Sequence, residues 1–307
     1  MFENIIGNET VKNTLKKSIE TNQITHSYLM IGIPGIGKKL IAKEYSKEIL
    51  GRDILNNPDF LCIQPDGNSI KIEQIRQLQK EIQEKPIISN KKVYIIDDAD
   101  FMTKEAQNCL LKTLEEPPEF AVIILIGSNE NSFLPTIKSR CMILHFRELY
   151  DSEIIEYLQK EYNEQNVTQS MLDIAGGSIG RAISLKDKQE QYQKVEAIIK
   201  DLEKKDLIDI IQESEVLYKS KDDINDMLEY INIILLKMAK DNYLYTDCIK
   251  IVENTKKRLA QNANYDMCID YMLFKMWEEV WKIITILAVS NFIKNAVTYT
   301  TYAPLPF

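Results

Sequence analysis

Gly32-Ile33-Pro34-Gly35-Ile36-Gly37-Lys38 follows the apolar run Ser27-Tyr28-Leu29-Met30-Ile31 and fits the pattern G-x-x-x-x-G-K. Glycines so spaced let the backbone curl its N–H groups around phosphate oxygens. Lys38 would neutralise the β and γ phosphates, and the next helix would aim its N-terminus at them. The following position breaks the pattern, because Lys39 stands where a Ser or Thr hydroxyl would hold Mg2+. A second segment, Lys92-Val93-Tyr94-Ile95-Ile96-Asp97-Asp98-Ala99-Asp100, reads as a buried strand ending in acids, with Asp97 placed to meet the metal. The next acid would orient the attacking water and is commonly Glu. Here it is Asp98, one methylene shorter. Two departures in one catalytic function predict a weak or absent ATPase. The glycines and Lys38 leave nucleotide binding open, with ATP held weakly or not at all.

These residues need a scaffold. Ser27–Ile31, Phe60–Ile63, Val93–Ile96, Val122–Ile126 and Met142–Phe146 are short, apolar and β-branched, as strands buried on both faces should be. Helical spacing lies between them. Val11, Leu15 and Ile19 share one face, as do Ile72, Ile75, Leu78 and Ile82. Thr103 caps a helix running through Leu114, which Pro117-Pro118 ends. The alternation predicts a parallel sheet covered by helices on both faces, with the glycine loop at the carboxyl edge of its first strand.

Glycine marks the main boundary. All ten glycines lie at or before Gly180, and residues 181–303 contain neither Gly nor Pro. So long a stretch without helix breakers predicts a helical bundle. Ile224, Met227, Ile231 and Leu235 form one stripe; Met272, Met276, Trp277 and Val280 mark another long helix within Tyr271–Val289. Such stripes suit a core or a subunit-packing face better than a cofactor pocket. Between sheet and bundle, Ser152–Tyr162 and Met171–Ala175 read as helices, Gly176-Gly177 as a stop, and Ser178–Arg181 as the start of another helix. The expected domains are 1–147, an α/β nucleotide-binding-like domain; 148–198, a helical lid; and 199–307, a helical oligomerisation domain. The tail after Thr298 carries no readable signal.

The 307 residues have a formal net charge of −8 and a pI near 5.1, which argues against strong autonomous nucleic-acid binding. Cys62, Cys109, Cys141, Cys248 and Cys268 form no C-x-x-C pair, so reduced thiols are expected rather than a zinc site or a disulfide framework. Met1-Phe2-Glu3-Asn4 shows no signal region, and Ile283–Val289 is too short to cross a bilayer. A cytoplasmic location is expected.

Ala106-Gln107-Asn108-Cys109-Leu110-Leu111-Lys112-Thr113-Leu114-Glu115-Glu116-Pro117-Pro118 is more specific. It precedes Ile126-Gly127-Ser128-Asn129 and then Leu134-Pro135-Thr136-Ile137-Lys138-Ser139-Arg140-Cys141. Together these resemble the clamp-loader branch of the AAA+ ATPases, with Ser-Arg-Cys as the hallmark. The likeness runs over about residues 5–185. Lys39, Asp97-Asp98-Ala99-Asp100 and the segment Asp66–Arg76 make the chain more similar to the delta-prime class of DNA polymerase III subunits than to the hydrolysing gamma/tau class. A four-cysteine zinc module common in relatives is missing, since Leu50–Asp59 is short and has no cysteine. No zinc is expected.

The resemblance implies an AAA+ P-loop α/β domain, a helical lid and an all-α collar. It implies gamma/tau and delta subunits as partners, with the sliding clamp and primer–template DNA met through the assembled complex. The chain would be part of the DNA polymerase III holoenzyme, a nucleotidyltransferase, without being catalytic alone. Gly32, Gly35, Gly37 and Lys38 would form the phosphate loop. Asp97 would be the metal-facing acid, Ser128 or Asn129 the sensor after the fourth strand, and Arg181 the lid arginine. Ile5-Ile6-Gly7 would flank adenine. Arg140 would be a finger acting in trans on a neighbour's γ-phosphate. Plainer readings stand beside these: Arg181 could pair with an acid, Asp97 and Asp98 could cap a turn, and His26 and His145 suit packing or hydrogen bonding better than catalysis. The rival function is an active AAA+ motor, such as a gamma-type loader subunit or a helicase loader, in which Lys39 and Asp98 are tolerated.

Overall fold

The structure is a computed structural model that describes residues 1–162, 167–186, 188–243, 245–261 and 263–300. It divides into two compact units, residues 1–184 and the residues from 185 onward. The first unit holds α1 (Glu9–Glu20), β1 (Ser27–Ile31), α2 (Lys38–Leu50), β2 (Phe60–Ile63), α3 (Ile72–Glu81), β3 (Lys92–Ile96), α4 (Lys104–Glu115), β4 (Ala121–Gly127), α5 (Pro135–Lys138), β5 (Met142–His145), α6 (Asp151–Tyr162) and α7 (Gln169–Ala175). α8 (Ile179–Lys186) ends the unit and crosses its boundary.

The five strands are all parallel, in the order β2-β3-β4-β1-β5. Alternation along each strand divides the core into two layers. Tyr28, Met30, Val93, Ile95, Val122, Ile124 and Ile126 pack with Val11 and Leu15 of α1 and with Ile41 and Tyr45 of α2. Leu29, Ile31, Tyr94, Ile96, Ile123 and Leu125 pack with Ile75 and Leu78 of α3 and with Leu110 and Leu114 of α4. Each such side chain contributes roughly 1.5–3 kcal/mol of burial. β1, β3 and β4 are buried throughout, as expected for inner strands. β2 is only half-buried, and Met142 and His145 of β5 are exposed, because these two strands are the sheet edges.

Thr103 accepts a hydrogen bond from Ala106 N and so caps α4, and Gly176 ends α7 in the left-handed region at φ 52°. Lys12 is buried; its Nζ donates to Ile5 O at 2.7 Å, which fixes the segment before α1. Asn8 accepts from Arg147 N at 2.9 Å and ties that segment to the end of β5.

The second unit is helical: α9 (Gln189–Lys200), α10 (Leu207–Glu213), α11 (Glu215–Lys219), α12 (Ile224–Asp241), α13 (Tyr245–Ala260) and α14 (Tyr265–Thr300). The stripe Ile224, Met227, Ile231 and Leu235 is buried, and so are Met272, Met276 and Val280. Trp277 Nε1 donates to Lys205 O at 3.1 Å. α9, which a lid ending at 198 would include, buries Tyr192, Val195, Ile198 and Ile199, and Tyr192 meets Tyr230 of α12 edge-on. No helix among the described residues is long and apolar enough to cross a membrane. The five cysteines are unpaired, Cys248 and Cys268 among the buried residues.

Candidate nucleotide site

β1 ends at the point where the sheet order reverses, with β4 on one side and β5 on the other. In open parallel sheets such a point opens a crevice beyond the strand ends. The loop from Gly32 to Gly37 fills the turn between β1 and α2. Gly35 (φ 76°) and Gly37 (φ 92°) are left-handed, a conformation that disfavours other residues and lets the loop curl. Gly32 packs so tightly that an added Cβ would lie 2.8 Å from Phe146 O. Lys38 opens α2, and its Nζ donates to Gly32 O at 2.5 Å and Ile33 O at 2.8 Å, holding the curl from inside. Burial lowers the Lys38 pKa, against the pull of Asp100, Asp98 and Asp97.

A cavity of about 500 Å3 lies over this loop. Asn4, Ile5, Ile6, Tyr157, Ile179 and Ile183 line it, and Lys38, Lys39, Lys43, Asp97 and Asp98 bring the charge. Its size and mixed lining suit a nucleotide, with an apolar region for a base and a charged region for phosphates.

The acids end β3. Asp97 is buried, and its Oδ2 lies 2.7 Å from Lys39 Nζ and accepts from Gln64 Nε2 at 3.1 Å. The hydrogen bond from Lys39 to Asp97 raises the Lys39 pKa. Asp98 follows in the left-handed region at φ 49°; burial, then Asp97 and Asp100, push its pKa up. Asp100 Oδ2 accepts from Ser128 Oγ at 2.6 Å and Ser128 N at 3.2 Å.

The cavity brings Gly35, Gly37, Lys38 and Asp97 together. Gly32 joins them through its carbonyl. Ser128 turns to Asp100, and Asn129 caps the turn Glu130–Ser132 by accepting from Asn131 N at 3.0 Å; neither lines the cavity. Arg181 is also absent from the lining, and its amide donates to Ser178 Oγ at 3.2 Å. Arg140 lies elsewhere on the unit. Its Nη2 is 2.7 Å from Glu115 Oε1, its Nη1 donates to Thr136 O at 3.0 Å, and 33% of its side chain is exposed. His26 Nδ1 lies 3.2 Å from Ala121 O, and His145 Nε2 lies 3.8 Å from Glu130.

Sequence reasoning missed three contacts. Ser178 Oγ donates to Pro34 O at 2.9 Å, and Gly180 N donates to Gly35 O at 2.9 Å, so the start of α8 is fastened to the phosphate loop. Lys43 and Tyr157 complete the cavity wall. Lys39 reads in sequence as the loss of a hydroxyl; in three dimensions it is a partner for Asp97. Opposite charges at two otherwise conspicuous positions were the available signal.

A sequence model of the family described as "DNA polymerase III, delta subunit" matches residues 7–150. The Bacillus subtilis DNA polymerase III subunit delta' is 32% identical over 206 residues, covering 62% of this chain and 62% of that protein. The Haemophilus influenzae subunit tau/gamma is 29% identical over 208 residues, 61% of this chain and 30% of the relative. The chain is thus similar to delta', tau and gamma subunits of DNA polymerase III. The match holds over the sheet domain that carries the phosphate loop, the acids and the Ser-Arg-Cys triplet. Bacillus subtilis tau aligns with more of this chain, 91% of it at 28% identity, and with 58% of its own length. The chain thus spans between about a third and three-fifths of the length of these relatives. A gamma subunit-related protein from Thermotoga maritima of known structure is 18% identical, with a TM-score of 0.49 over 87% of this chain and 99% of that one.

Proposed function

We propose that this chain is a delta-prime-like clamp-loader subunit that acts as a stator. It hydrolyses little or no ATP itself, and it places Arg140 against a nucleotide bound by a neighbouring gamma/tau subunit. Its other partners are a delta subunit and, through the complex, the sliding clamp and primer–template DNA. The helices from residue 199 onward serve as collar and those within residues 148–198 as lid.

The observation that carries this reading is the Lys39–Asp97 ion pair. Hydrolysis in this fold depends on a hydroxyl and an acid that grip a metal and on an acid that orients water. Here the hydroxyl is absent, the first acid is engaged by an ammonium, and the second acid is the shorter Asp98. Steady-state ATPase measurements on the isolated chain, with and without primed DNA, test the reading. No turnover above background is expected. Turnover typical of a loader motor, abolished by Lys38→Ala, overturns it.

The motor reading has one observation in its favour, the alignment of Bacillus subtilis tau along 91% of this chain. The same assay separates the two.

A further inference from the structure

The fold family implies a divalent cation beside the nucleotide, gripped by a hydroxyl after the loop lysine and by the acid ending β3. The residues at those two places do not fit one. Position 39 supplies an ammonium in place of an oxygen, and that ammonium lies 2.7 Å from Asp97 Oδ2, the oxygen a cation would claim. Gln64 Nε2 takes the same oxygen at 3.1 Å. A magnesium ion here would face Lys39 at close range and lack the hydroxyl ligand, and magnesium demands near-ideal geometry from few protein groups.

Lys39 is more than a surface charge. Its partner is buried, with 9% of the Asp97 side chain exposed, while 40% of the Lys39 side chain remains open. Lys39 also lines the cavity, next to Lys38 and Lys43. An ammonium has three N–H donors. One meets Asp97, which leaves two to face phosphate oxygens from the position a metal would hold. Lys38, Lys39 and Lys43 oppose Asp97 and Asp98, so the charged end of the cavity already has an excess of positive charge.

We infer that Lys39 replaces the divalent cation, and that this cavity takes a nucleoside di- or triphosphate in its metal-free form. The inference rests on the reading of the cavity as a nucleotide site. It separates two properties that one loop usually couples: the cradle is kept, and metal dependence is lost.

The test is an equilibrium titration of the full chain with methylanthraniloyl-ADP and methylanthraniloyl-ATP, in excess EDTA and in excess magnesium. For the natural chain the EDTA affinity should equal or exceed the magnesium affinity, within about threefold, a difference under 1 kcal/mol. Lys39→Thr restores the hydroxyl and frees Asp97, so its binding should become at least about tenfold tighter with magnesium than with EDTA. Lys39→Gln should lose about tenfold in EDTA and gain no magnesium response. Circular dichroism melting of each variant checks that it is folded. Natural-chain binding about tenfold tighter in magnesium, or a Lys39→Thr chain that behaves like the natural one, overturns the inference alone. Absence of binding in both buffers removes the nucleotide reading and the inference together.

Discussion

Arg140 Nη2 lies 2.7 Å from Glu115 Oε1, so the arginine of the Ser-Arg-Cys triplet is tied to the last residue of α4. Thr136 O and Ser139 Oγ accept from its other terminal nitrogen, and these bonds aim the planar fork. A third of the side chain is exposed, which leaves the guanidinium open to an anion from solvent.

Arg140→Ala should leave the chain folded and able to assemble, yet depress clamp- and DNA-stimulated ATP hydrolysis by a reconstituted complex. Fingers of this kind supply roughly 10³–10⁵-fold in rate. Arg140→Lys should rescue little, because lysine lacks the fork. Undiminished ATPase at equal occupancy removes the trans role. Glu115→Gln should change stability by less than about 1 kcal/mol, as an exposed pair does, so chemical denaturation separates aim from fold.

Gly35 resists replacement for steric reasons as well as for its backbone angle. An added Cβ would lie 2.4 Å from Ser178 Oγ and 3.1 Å from Gly180 Cα, at φ +76°. Gly67, at φ +66°, has nothing within 4 Å of such a Cβ. Gly67→Ala should therefore cost only the backbone term of about 1–2 kcal/mol. Gly35→Ala should cost about 1–3 kcal/mol more. Thermal unfolding of the two variants side by side measures the difference, and equal costs would refute the tight joint.

Asp59 is buried, and its carboxylate accepts from Ile87 N at 2.7 Å, Ile88 N at 2.9 Å and Ser89 N at 2.7 Å. Burial pushes its pKa up, but these three N–H groups and then Lys92 outweigh burial and leave it lowered. A folded pKa below the unfolded value of about 4 gives stability that is present above that value and lost as pH falls through the folded pKa. Asp59→Asn should cost about 2–4 kcal/mol near neutral pH. The gap from the natural chain should narrow as the pH drops below about 4. Urea titrations across that range give the result; a gap that is constant with pH contradicts the assignment.

Truncation tests the collar. Cutting after 198 strands Val195 and Ile198 of α9 without α12, whereas ending at Lys186 removes α9 as well. The fragment 1–186 should be monomeric and folded and should fail to join partner subunits in pull-down. Assembly equal to that of the full chain would remove the collar role.

The sheet was legible because its strands are short β-branched runs bounded by Gly, Pro and Asp. β1 and β2 match their expected limits, and β3 starts one residue early at Lys92, whose Nζ reaches Glu81 O at 3.3 Å. Edge position was not legible, since it depends on strand order. The glycine loop and Asp97 could be placed together by motif alone. The Lys39–Asp97 pair, the Ser178–Pro34 bond and the turn of Ser128 toward Asp100 depend on distances between segments far apart in the chain, which no local pattern encodes.

Gly180 N on Gly35 O and Ser178 Oγ on Pro34 O weld the first turn of α8 to the phosphate loop. No side chain from either glycine intervenes, so the joint has no slack. Ser184, exposed one turn further along α8, therefore rides with the loop. A fluorophore there would work as a displacement gauge, reporting a ligand's arrival directly, with no turnover needed as the signal.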